Sequence, residues 1–263
     1  MKLHVLGTGN AGSQNNYNTC FVIQNNEEYV LVDAGGGNGI LKQLVNSKID
    51  FNKINHAFIS HNHADHLLGF AWVLKIVYIC FDEQTRQEPF TIYGHKECID
   101  AVKTIGKITL GEKKWDKYYK TKVMFVEVKD DETKQIAGLD FHFFDTEADI
   151  TQLGFVLGDK KFVFCGDVSL HASHYNKFMD FEWVALPALC IESELRIGDL
   201  LPDKFYTVKK AAQVASRLNA KNLIIWHTED VLDNRKAEYT KEAQTEFGGN
   251  VYVPEDLEVI SIE

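Results

Sequence analysis

The chain has 263 residues, 45% hydrophobic and 25% charged, with four prolines and no low-complexity tract. That composition supports a single α/β domain over residues 1–263 and excludes long linkers or extended disorder. The formal net charge of −10 argues against nucleic acid as a partner, since general affinity for its backbone needs a basic face.

The opening MKLHVLGTGN reads as a strand and a glycine loop rather than a signal peptide. TCFVIQ and EYVLVDAG follow as strands, GILKQLVNSKI as a helix and HAFISH as a strand. The segment after Asp65 is helical. Its most apolar part, LLGFAWVLKIVYICF, has a lysine inside, is too short to span a bilayer and suits a buried helix. FTIYG and KECIDAVKTI come next, strand then helix. Four strand-like runs are bunched after them: KVMFVEV, LDFHFFD, LGFVLG and KFVFCGD. WVALPA, TVKKAAQVASRL, NLIIWH, RKAEYTKEAQTEF and DLEVISI then alternate strand with helix. Strands that first bunch and then alternate with helices predict mixed sheets covered by helices on their outer faces. Five scattered cysteines, never in C-x-x-C spacing, read as reduced thiols of a cytoplasmic protein.

Several strands end in glycine or polar groups: VDAGGG, ISHNHADH, FCGD and IIWHTED. Among these, His61, His63, Asp65 and His66 form an H-x-H-x-D-H pattern. Imidazole and carboxylate are the usual ligands of zinc and similar divalent ions. Two histidines two apart in an extended turn point the same way, and an Asp-His pair opening a helix can aim at a neighbouring point. One short loop can thus serve two adjacent metals.

Here the sequence resembles the metallo-β-lactamase fold superfamily, and within it the ribonuclease Z and phosphodiesterase branch. LGTGNAG resembles that branch's opening strand and loop. LVDAGGG, with Asp33, resembles the first motif, and SHNHADH the signature. Asp167 of FCGD stands where relatives carry a carboxylate that bridges two metals, and His227 of IIWHTED resembles the last ligand histidine. The resemblance implies a four-layer αββα sandwich holding one or two zinc ions, with manganese or iron as alternatives. One metal would take His61, His63 and a further histidine. The other would take Asp65, His66 and His227, with Asp167 between them. Asp33 reads as a scaffold residue that shapes the signature loop by hydrogen bonds. His95, after FTIYG, is a weaker candidate for lining the pocket. The remaining histidines read as strand or surface residues.

Two departures stand out. The family's further histidine belongs between the signature and the bridging aspartate, before a Gly-aromatic pair. FHFFDTEADITQLGFVL has none there, only Asp145, Glu147 and Asp149, any of which could substitute. Ribonuclease Z relatives also carry a glutamate after a hydrophobic strand and a histidine before a helix-capping Ser/Thr, a pair that helps protonate the leaving group. Here Pro187 and Phe205-Tyr206 fall at those places, and no Gly/Pro-rich arm for gripping tRNA is evident. These points argue against tRNA processing.

The expected activity is that of a metal-dependent hydrolase of small phosphodiesters or other esters, using a metal-bound hydroxide, with Asp65 orienting or deprotonating the water. Tyr206 or His171 could replace the missing proton donor. The alternatives are a non-catalytic binding module with a partial metal site and, further off, di-iron redox chemistry. A small-molecule substrate, no membrane partner, and a homodimer seam along residues 67–81 complete the expectations. Because one ligand of the first site is missing, the second is expected to fill first.

Overall fold

The computed structural model describes residues 1–168, 170–194 and 206–262. Two seven-stranded sheets face each other. The first contains β1 (Lys2–Gly7), β2 (Cys20–Asn25), β3 (Glu28–Val32), β4 (Ile54–Ile59), β5 (Phe90–Gly94) and β6 (Val123–Glu127), with β14 (Val259–Ser261) outside β1. The second runs from β7 (Thr133–Ile136) through β8 (Leu139–Asp145), β9 (Leu153–Leu157), β10 (Phe162–Phe164), β11 (Trp183–Pro187) and β12 (Asn222–Trp226) to β13 (Asn250–Tyr252).

The two sheets share one plan. In the first, β14-β1-β2-β3 pair antiparallel and β3-β4-β5-β6 parallel. In the second, β7-β8-β9-β10 are antiparallel and β10-β11-β12-β13 parallel. The parallel pairs need crossovers, which helices supply. α1 (Gly39–Asn46), α2 (Ala64–Leu67), α3 (Phe70–Asp82), α4 (Lys96–Leu110) and α5 (Glu112–Tyr118) belong to the first half, α6 (Val208–Arg217) and α7 (Arg235–Ala243) to the second.

Three apolar clusters make the four layers. Leu3, Val5, Phe21, Phe58, Phe143, Phe155, Phe164 and Trp226 lie between the sheets. Rings interlock there, Phe21 stacking on Trp226 at 4.8 Å and Phe58 meeting Phe143 at 5.2 Å. Each such ring, fully buried, contributes on the order of 2–3 kcal/mol. A second cluster joins the first sheet to α1, α3 and α4, and a third joins the second sheet to α6 and α7. The αββα sandwich is therefore the observed architecture. Thr207 caps α6, its hydroxyl accepting the Lys210 amide, as the TVKKAAQ pattern implies.

The apolar stretch forms α2 and α3, helical from Asp65 onward as its sequence implies; taken together, Ala64–Asp82 has the length and composition to cross a membrane, yet 56% of it is buried inside the fold. Val73, Leu74, Val77 and Tyr78 face the outer core.

Candidate metal centre

The carboxyl ends of parallel strands are where open α/β sheets build sites. Asp33 follows β3, Ser60 and His61 follow β4, Asp167 lies just past β10, and His227 follows β12. Asp33 is fully engaged. Its Oδ1 accepts the Ser60 amide at 2.8 Å, and its Oδ2 accepts the Ser60 hydroxyl at 2.7 Å and faces His66 Nδ1 at 2.8 Å. Ser60 Oγ also meets His61 Nδ1 at 3.0 Å. One carboxylate thus ties both strand ends to two histidines, the scaffold role its position implied.

The backbone reinforces this tie. Ala34 donates to the His66 carbonyl, and Gly69 to the Gly35 carbonyl. A Cβ on Gly69 would stand 1.8 Å from the Ala34 carbonyl oxygen, so no side chain fits at that crossing. Gly166, before Asp167, holds φ +76, and a Cβ there would collide with the Gln152 amide. Asp33 and His227, both at φ 55, adopt the left-handed conformation without being glycine. Such strain collects where surrounding structure fixes a functional side chain.

All six residues singled out in the sequence meet here, in two triads. The donor atoms of His61, His63 and Asp167 lie within 4.8 Å of one another, as do those of Asp65, His66 and His227. Asp167 Oδ2 is 3.4 Å from His61 Nε2 and 3.7 Å from both His66 Nε2 and His227 Nε2, so it faces both groups. Asp65 Oδ2 is 3.4 Å from His66 Nε2 and 3.5 Å from His227 Nε2. The Nε2 atoms of His61, His66 and His227 and Oδ1 of Asp167 are buried with no hydrogen-bond partner among the described residues. Buried polar atoms rarely stay unpaired. Donors bound at about 2.1 Å to one tetrahedral ion would lie roughly 3.4 Å apart, close to the 3.4–3.5 Å from Asp167 to His61 and from Asp65 to His66 and His227. The residues present fit a divalent cation.

Charge agrees. Burial pushes the Asp65 carboxyl up, but His227 and His66 outweigh it and hold it well below the usual carboxylate range. Asp167 is likewise opposed by burial and held low by His61, His227 and His66. Burial depresses His66, yet Asp33 and Asp65 bring it well above an ordinary imidazole. His61, facing His66 and deeply buried, is pushed down. The carboxylates are thus held low by the histidines around them, a place where a bound cation would have the same effect.

The departures are visible too. Among the described residues, no carboxylate from positions 145–149 joins either triad. Asp145 accepts the Glu147 amide, and the Glu147 carboxylate turns to His171, Ser173 and His174. Pro187 ends β11, and the buried Tyr206 donates its hydroxyl to the Leu170 carbonyl, which commits it to structure. Phe205 lies outside the described residues. His95 is buried beside Cys98 at the start of α4, close enough to His61 and Asp145 to feel their charge. His174, expected on a strand or the surface, is buried in a short turn against Phe144 and Phe178.

Sequence reasoning missed Ser60 and Asp230. Asp230 Oδ2 accepts the amides of Gln14, Asn15 and Asn16, pinning the glycine loop to the strand that carries His227. A short polar residue at a strand end was the available signal for each.

Two sheets and four layers define a metallo-β-lactamase fold, with a histidine–aspartate cluster at its strand ends. The chain belongs to the family described as Anti-Pycsar protein Apyc1, whose model matches residues 1–186. It is 39% identical to a ribonuclease Z of Methanococcus aeolicus over 109 residues, which is 41% of this chain and 32% of that protein. The match thus spans about a third of the ribonuclease. The fold superposes on the metallo-β-lactamase fold protein YhfI of Bacillus subtilis with a TM-score of 0.80, at 19% identity and 98% coverage of both chains. Human tRNase Z, short form, matches with a TM-score of 0.73, at 20% identity and 100% coverage of both.

Proposed function

We propose that this chain is a metal-dependent hydrolase of small phosphodiesters. His61, His63 and Asp167 would hold one divalent cation and Asp65, His66 and His227 a second, with Asp167 facing both. The observation that carries this reading is the convergence of buried, unpaired Nε2 atoms with two carboxylates at the strand ends. A zinc, manganese or iron ion there supplies Lewis acidity, polarising the scissile group and acidifying water. The protein's part is to fix geometry. Asp33 holds His66 by its Nδ1, Ser60 steadies His61, and Asp65 lies where it can orient the attacking water. The ribonuclease Z relative supports a phosphodiester as the bond cut. Processing of tRNA is disfavoured, because Pro187 and Tyr206 occupy the places of the branch's proton-donating pair.

A non-catalytic module remains the second reading, favoured by the first triad's lack of a carboxylate from 145–149. Metal analysis of purified protein, followed by turnover assays on bis-p-nitrophenyl phosphate, cyclic nucleotides, thioesters and lactams, separates the two. Bound divalent metal with diester turnover is expected. Metal without turnover of any diester would overturn the hydrolase reading.

A further inference from the structure

The proton donor that the branch places near Pro187 and Tyr206 is absent, but a carboxylate–imidazole pair stands elsewhere at the same sheet edge. Glu147 lies on the β8–β9 loop. The far end of that loop is fixed beside the first triad, because Leu153 donates to the Ser60 carbonyl, next to His61. His171 lies four residues beyond Asp167. Glu147 Oε2 is 2.8 Å from His171 Nδ1. Its Oε1 accepts the Ser173 hydroxyl and lies 3.3 Å from Nε2 of the buried His174, without hydrogen-bond alignment. Glu147 holds φ 60, a left-handed conformation that a glutamate rarely adopts and that turns its side chain to these partners. Nδ1 also lies 2.9 Å from the Ser173 hydroxyl and accepts the Ser173 amide at 3.4 Å, so the neutral ring carries its proton on Nε2, and in the imidazolium the Nδ1 proton faces Glu147. That leaves Nε2 of a half-exposed ring free to exchange protons.

We propose that His171, oriented by Glu147, donates the proton to the leaving oxygen in the diester hydrolysis proposed above, on which this inference rests. The oxygen of water bonds to phosphorus. The bond from phosphorus to the leaving oxygen breaks, its electron pair staying on that oxygen. Nε2 of the His171 imidazolium gives its proton there, so the alcohol departs neutral. The proton released from the water passes to solvent, and solvent reprotonates the exposed imidazole. Glu147 is a positioning residue, with the Ser173 hydroxyl bracing its second oxygen.

The test is a series of diaryl phosphates graded by leaving-group basicity: bis(4-nitrophenyl), bis(4-chlorophenyl) and diphenyl phosphate. A 4-nitrophenolate leaves readily without a proton, whereas phenolate needs one. His171→Ala should lower kcat throughout, with the loss deepening along the series to about 100-fold at diphenyl phosphate, within the usual range for general acid catalysis. Glu147→Gln should give the same trend more weakly, with metal content and melting temperature unchanged. A uniform loss along the series, or no loss, would overturn the inference while leaving the hydrolase reading intact. If the wild-type protein turns over none of the three and no cyclic nucleotide either, both readings fall together.

Discussion

The two triads share the reach of Asp167 but differ in what stands behind them. Asp65, His66 and His227 are all buried, and His66 is clamped through Nδ1 by a carboxylate that also holds two groups of Ser60. In the other triad His61 leans on the Ser60 hydroxyl, while His63 is exposed and makes no side-chain hydrogen bond among the described residues. The same six-residue loop therefore furnishes one well-braced group and one loose one. Metal affinity depends on how well ligands are preorganised, and outer partners of ligands matter nearly as much as the ligands themselves. The braced triad should dominate metal retention, and the loose one should limit occupancy.

The largest expected effect comes from the signature itself. His66→Ala removes a proposed ligand together with the group that Asp33 orients. Loss of an outer partner alone costs about 10–100-fold in metal affinity or activity, so this change should exceed that range and leave purified protein nearly metal-free by mass spectrometry. His63→Ala should also abolish most turnover yet retain metal at the braced triad. A His63→Ala protein with full metal content and full turnover would break the comparison.

Asp33→Ala comes next. It leaves the buried Ser60 amide and the His66 ring without their acceptor, at about 1–3 kcal/mol for each group. The melting temperature should fall, and metal affinity should drop about 10–100-fold although no proposed ligand has changed. A crystal structure with Asp33 directly on a metal would contradict its role as a brace.

The smallest signal is the most discriminating. Zinc titration of metal-free protein should show two unequal steps or a single one, and anomalous scattering should place the stronger peak beside Asp65 and His66. Equal occupancy without a carboxylate from 145–149 would refute the asymmetry.

Much of this was legible in the sequence because strong local patterns carry it. H-x-H-x-D-H, FCGD and IIWHTED each follow an apolar strand, and strand ends converge in this architecture. Thr207 announced α6 by capping it. What escaped were elements with weak periodicity. β7, with the sequence TKQI, is polar; β13 has only three residues; and α5 buries only Trp115. The Glu147–His171 contact also escaped, because it joins residues 24 apart through a left-handed glutamate, which composition does not signal. His174 looked like a surface histidine until Phe144 and Phe178 closed over it.

The site also straddles the two halves of the molecule. His61, His63, Asp65 and His66 hang from the first sheet, whereas Asp167 and His227 hang from the second. Each triad thus draws donors from both. A cation bound by either would act as a rivet through the sandwich, adding to the hydrogen bonds from Leu153 to Ser60 and from Asn10 to Thr228 that tie the two halves at that edge. Stripping it should loosen that edge first, so that amide exchange after chelation quickens around Ser60 and Thr228 while the strands packed around Phe155 stay protected.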